Sequence, residues 1–149
     1  MMKKIFIYYS LSGNGDKVAS YLKDKGYDIR KVVTNEPLPK NYFLSILSGG
    51  FKALIGYKDN LKRFNSDISD YDKVVIGSPV WNNRLSCPIN SVLDKINVDN
   101  KDISFVLYSG SGKSKSASKF IIERYGEVKI INLMEPKKNS EELKKLNNI

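Results

Sequence analysis

The chain has 149 residues, 41% of them hydrophobic and 28% charged, which is enough for one compact domain with its own core and too little for two of ordinary size. Twenty-five Lys and Arg against 16 Asp and Glu give a net charge of +9, with no histidine and a single cysteine, Cys87. Those counts exclude Ser-His and Cys-His nucleophile pairs, histidine general bases, histidine or multi-thiolate metal sites and any intrachain disulfide.

The first apolar run, residues 4–9, is hydrophobic on both faces and reads as a buried parallel strand. It is shorter than a signal-peptide core and lacks a small-residue cleavage site, so the expectation is a cytoplasmic protein with no membrane segment. A helix follows from about 15 to 25, with Val18, Ala19 and Leu22 on one face and Gly26 to end it. A short strand at 28–33 comes next. About forty residues then precede the next clear strand, too many for a bare loop. Within them 42–55 is apolar enough for a helix, although Gly49-Gly50 interrupts it, and 58–72 is polar; the stretch reads as an extended second helix with an irregular tail.

The strand at 73–77 is the most obvious one. After it Ser86-Cys87-Pro88 starts a helix with a serine cap and an early proline, and Ile89, Val92, Leu93 and Ile96 repeat at helical spacing. A strand at 103–108 leads to a helix presenting Ala117, Phe120, Ile121 and Tyr125 before Gly126. The last strand is 128–133, and Ser140 opens a final helix with Glu141 and Glu142 at its positive end.

Five βα units in succession predict an α/β fold, a five-stranded parallel sheet of order 2-1-3-4-5 with helices on both faces, as one domain over 1–149. In that order the first and third strands lie side by side where the strand order reverses. Ligands of such sheets bind beyond the carboxyl ends of the strands near that point. Three glycine- and serine-bearing loops sit there: Ser10-Leu11-Ser12-Gly13-Asn14-Gly15, Ser78-Pro79-Val80-Trp81-Asn82-Asn83-Arg84 and Ser109-Gly110-Ser111-Gly112.

In the first loop, the hydroxyls of Ser10 and Ser12 and the amides around Gly13 to Gly15 can surround an anion at a helix N-terminus. The same residues are also what an ordinary turn and cap use. Here the sequence resembles a known family: IFIYYSLSGNGDKVA is similar to the phosphate loop of the flavodoxins, Ser/Thr-x-Ser/Thr-Gly-Asn-Thr after the first strand. Ser10, Ser12, Gly13 and Asn14 match it. Gly15 replaces the last threonine and removes a hydroxyl, and Asp16 sets a carboxylate near the implied phosphate.

DYDKVVIGSPVWNNRLSCPINSVL is similar throughout to the corresponding region of short flavodoxin-like proteins, with DYD, then G-S/T-P-V/I-W, then a proline-started helix. The resemblance implies that Pro79, Val80, Trp81 and Asn82 approach an FMN ring, with the Trp81 indole packed on the isoalloxazine from an exposed loop; the alternative is a core tryptophan. Near Asn83 many of these proteins have a glycine whose peptide reaches flavin N5. Asparagine tolerates left-handed backbone less freely than glycine. Arg84 points either to the pyrimidine edge of the ring or to solvent.

Ser109-Gly110-Ser111-Gly112-Lys113-Ser114 ends like a P-loop, but the position five before Gly112 is Leu107, inside a strand, so the match fails. By resemblance this loop is a backbone wall for the pyrimidine end of the flavin. Tyr108, at a strand end, and Cys87, at a helix start without a histidine partner, read as packing residues.

The resemblance implies a flavodoxin-like three-layer sandwich that holds FMN non-covalently and carries one or two electrons between redox partner proteins. The alternatives are an FMN-dependent NAD(P)H:quinone or small-acceptor reductase, or a binding module with the same fold and no cofactor. Receiver domains share the strand order but need an aspartate where Ser78-Pro79 stands. Flavodoxins are mostly acidic; the charge of +9 here points to acidic partners. The lysines are scattered, without a nucleic-acid motif, and read as a solvated surface with no nucleic-acid ligand.

Overall fold

A computed structural model of the chain describes residues 1–35 and 61–149. The helix expected at 42–55 and the start of the tail at 58–72 lie outside the described residues. Strand β1 (Lys4–Tyr8) leads through helix α1 (Asn14–Asp24) to β2 (Asp28–Lys31). After the undescribed stretch come β3 (Lys73–Trp81), β4 (Arg84–Leu85) and α2 (Cys87–Lys95). The chain ends with β5 (Asp102–Ser109), α3 (Lys115–Tyr125), β6 (Lys129–Met134) and a 3₁₀ helix (Ser140–Asn148).

The sheet runs β2-β1-β3-β5-β6, with every one of these pairs parallel. This is the expected order, with the reversal between β1 and β3. Alternation along the buried strands divides the core into two layers. Ile5, Ile7, Val74, Ile76, Phe105 and Leu107 face α2 and α3, where Ile89, Val92, Leu93, Ala117 and Ile121 meet them. Phe6, Tyr8, Val75, Val106, Tyr108 and Leu133 face the other way, against Val18, Ala19 and Leu22 of α1 and Leu143 and Leu146 of the 3₁₀ helix. Two-sided burial is why these strands read as unbroken apolar runs. Gly77 leaves room for Phe6: a Cβ there would run into the Phe6 ring, which stacks on Tyr8 with centroids 5.0 Å apart.

Four local expectations need correction. The third strand does not stop at 77 but runs to Trp81 and turns back as a hairpin, Val80 pairing with Leu85 and Trp81 with Arg84. Asn82 and Asn83 form the two-residue turn with φ of 47° and 61°, the left-handed pair that a tight hairpin needs and that asparagine accepts. Ser86 precedes α2 but does not cap it with its side chain; its buried hydroxyl lies 3.0 Å from the Ser78 hydroxyl, tying the hairpin's two ends together. Phe120 is exposed, because the buried stripe of α3 passes through Ala117 and Ile121. The last helix is 3₁₀, and its buried Leu143 and Leu146 stand three apart, as three residues per turn require. Among the described residues no helix is long and apolar enough to cross a membrane.

Candidate functional site

The carboxyl ends of β1, β3, β5 and β6 surround a cavity of about 580 Å³, within the range typical of small-molecule sites. Leu11, Ser12 and Asn14 line it from the first loop, Pro79, Val80, Trp81 and Asn82 from the hairpin, and Tyr108, Ser109 and Gly110 from the end of β5. Glu135, Lys137 and Lys138, from the turn after β6, complete the lining. The structure thus brings the three expected loops together. Of their residues, Ser10, Gly13, Gly15, Ser78, Asn83, Arg84, Ser111 and Gly112 stand outside the cavity lining, and a fourth loop joins it.

The first loop is built differently from the expectation at Ser10. Its Oγ accepts the N–H groups of Gly13 and Gly15, at 3.2 and 3.1 Å, so two amides expected to face an anion are engaged within the turn. Gly13 has φ 97°, which only glycine adopts freely. The hydroxyl of Ser12 and the carboxamide of Asn14 remain beside the cavity.

Asp16 is kept from acting as a bare charge. Its Oδ1 accepts the Tyr8 hydroxyl and the Lys31 ammonium, each at 2.8 Å. Partial burial pushes the carboxyl up, but the bonds from Lys31 and Tyr8 outweigh it and hold it below its ordinary value. Burial, and then the bond to Asp16, push the Tyr8 phenol well above its ordinary range, so it stays a donor. The carboxylate expected to oppose a phosphate therefore carries its own counterion.

Trp81 is not on an exposed loop. It ends β3 at 5% relative exposure, with its ring edge-on to Tyr9 at 5.9 Å between centroids. Pro79 and Val80 before it are only half-buried, so the apolar wall of the cavity is shared by all three. Asn83 turns its carboxamide to the start of α3, accepting the Ser116 N–H at 3.2 Å and donating to the Ser116 hydroxyl at 3.1 Å. Arg84 is exposed on β4.

In the third loop the Gly112 amide donates to Ser109 Oγ at 2.9 Å and the Lys113 amide to Ser111 Oγ at 3.2 Å. The serines thus fix their own turn. Gly110 is left with open space around it, since a Cβ there would meet nothing within 4 Å. Tyr108 is a core residue as expected, 2% exposed, and its hydroxyl donates to the Tyr9 carbonyl. Cys87 is fully buried in the core facing α2 and α3.

The turn after β6 is the part that the sequence reading missed. Glu135 has φ 42°, its N–H donates to the Ser109 carbonyl at 3.0 Å, and its own carbonyl accepts the N–H groups of Lys138 and Asn139 at 2.9 Å. This anchors Lys137 above the first loop: its N–H donates to Asn14 Oδ1 at 3.0 Å and its Nζ to the Ser12 carbonyl at 3.2 Å. Lys138 pairs with Glu135 at 2.9 Å. The signal was in the sequence, because residues following any strand of a parallel sheet reach the same rim. No cluster that could hold a metal ion is present among the described residues.

The sequence matches no family model and no curated protein. The structure, however, resembles several solved ones. A flavoprotein from Lactobacillus acidophilus, solved in complex with FMN, superposes with a TM-score of 0.73 at 20% identity, over 95% of this chain and 98% of the other. A flavodoxin from the domain Archaea gives 0.54 at 16%, over 96% and 92%. An azoreductase from Bacillus anthracis gives 0.51 at 15%, over 96% and 94%. The fold is therefore the flavodoxin-like three-layer sandwich.

Proposed function

We propose that this chain binds FMN non-covalently in the cavity at the carboxyl ends of β1, β3, β5 and β6 and carries electrons between redox partner proteins. The observation that carries this reading is the polarity of the cavity. Ser12, Asn14 and Lys137 form one polar, basic end, while Pro79, Val80 and Trp81 supply an apolar wall. A phosphorylated, planar aromatic cofactor has the same two-ended character. The FMN-bound structure of the similar Lactobacillus protein supports the choice of cofactor.

Bound flavin would supply the electron-accepting chemistry. This chain's residues would hold and tune it. The Ser12 hydroxyl and the N-terminus of α1 favour an anionic group at the tail. Gly110 lets backbone come close to the ring edge, and the apolar wall excludes water from one face.

A carrier reading is preferred to a reductase because the flavin itself does the redox chemistry and the lining residues are suited to holding and tuning it. With a net charge of +9, the expected redox partners are acidic proteins. The similar azoreductase keeps the alternative specific: a reductase acting on a quinone or other small acceptor. Titration of FMN into the purified protein, followed by flavin absorbance and fluorescence, tests binding. Steady NAD(P)H oxidation by the FMN-loaded protein without a second protein would favour the reductase; electron uptake only through an added reductase would favour the carrier.

A further inference from the structure

We propose that Lys137 is the residue by which this chain distinguishes a phosphorylated flavin from an unphosphorylated one, supplying the positive charge that the loop after β1 lacks. The inference rests on the FMN reading above. The first loop is short of donors: Gly15 has no hydroxyl, and the Gly13 and Gly15 amides are held by Ser10 Oγ. A phosphate at this end of the cavity would meet the Ser12 hydroxyl, the Asn14 carboxamide and whatever cation stands nearby.

That cation is Lys137. Its aliphatic chain and ammonium lie across Gly13, where a Cβ would be 3.1 Å from Cδ and 3.2 Å from Nζ. The backbone is latched to Asn14, and among the described residues the ammonium bonds a neutral carbonyl, that of Ser12. Among the described residues no carboxylate pairs with it, whereas Lys138 is taken by Glu135 and Lys31 by Asp16. An ammonium at the cavity rim with no anionic partner among the described residues, held over the mouth of a phosphate-loop-like turn, is placed to pair with an incoming dianion.

The test compares FMN with riboflavin, which lacks the phosphate, by fluorescence titration of the wild-type chain, Lys137→Met and Lys137→Arg. The wild type should bind FMN more tightly. Lys137→Met should lose about tenfold in FMN affinity while riboflavin affinity changes by less than about twofold. Lys137→Arg should restore most of the loss, because the charge returns. Raising NaCl from about 0.05 M to about 0.5 M should shrink the wild-type preference and leave the Met variant's smaller one nearly unchanged. A Met variant that keeps the full FMN preference overturns the role of Lys137 and leaves the FMN reading standing. Equal wild-type affinity for the two flavins overturns it as well. A wild type that binds neither flavin removes both.

Discussion

A Cβ placed on Gly15 would stand 2.5 Å from the Tyr108 hydroxyl. Gly15 lies in the first turn of α1 and does not have positive φ, so its requirement is for space and not for unusual backbone. The Tyr8 ring and the Ser10 side chain crowd the same spot, at 2.8 and 2.9 Å. The departure from the flavodoxin pattern thus has a physical partner: a threonine here and a tyrosine at 108 compete for one volume. Gly15→Ala should cost about 1–3 kcal/mol in urea denaturation through overpacking. Tyr108→Phe removes the nearest atom, so the double variant should be more stable than the sum of single losses predicts by about 0.5 kcal/mol or more. Strict additivity would show that the clash is relieved elsewhere.

Asn83 joins the hairpin to α3. Its φ of 61° suits asparagine and glycine and penalises branched side chains, and its carboxamide satisfies the Ser116 N–H. Asn83→Gly should keep the turn and lose the cap, at about 0.5–1 kcal/mol. Asn83→Val loses both and should cost about 1–2 kcal/mol more than glycine. Urea midpoints decide; a valine variant as stable as the glycine one would mean the turn relaxes without strain.

The sheet order was legible because each central strand is apolar on both faces, and the position of Ser12 and Asn14 at the cavity was legible from their loop's place after the first strand. The hairpin was not, since Pro79 and the polar run after Trp81 resemble a loop until the pairing of Val80 with Leu85 is seen. Nothing local marks Ser10 as turning inward; its hydroxyl is captured by amides three and five residues on. Lys137 escaped notice because its contacts with Ser12 and Asn14 span more than a hundred residues. A lysine after a strand is ordinary until the register of β6 against β5 places it at the rim.

The Asp16 and Lys31 pair makes stability depend on acid. A carboxyl held below its unfolded value contributes stability that is present above that value, about 3.9, and lost as pH falls through the lower folded one. Wild type should therefore exceed Asp16→Asn in stability at neutral pH, and the gap should begin to shrink below about pH 4 and close as pH falls through the lower folded value. Because the pair is roughly half exposed, the gap should not exceed about 1 kcal/mol and should shrink with salt. Thermal melts across a pH series check both; a gap that persists at low pH would assign the effect to contacts of the neutral side chain and not to its charge.

Trp81→Ala would confuse cofactor contact with core loss, since truncating a tryptophan this buried costs about 3–5 kcal/mol. Gly110 offers the cleaner probe of the cavity. It is exposed, its φ is not positive, and a Cβ there meets nothing within 4 Å, so Gly110→Leu should leave urea stability within about 0.5 kcal/mol of wild type. Yet Gly110 borders the cavity between the hairpin and the turn after β6, and also the smaller recess toward Lys113 and Lys115. An isobutyl group there narrows the space for a planar ring, so FMN affinity should fall by about tenfold or more. Riboflavin affinity should fall equally, because the obstruction acts on the ring and not on the phosphate. That equal loss separates the ring wall from the Lys137 end, and a variant that still binds both flavins as wild type does would place the ring away from the third loop.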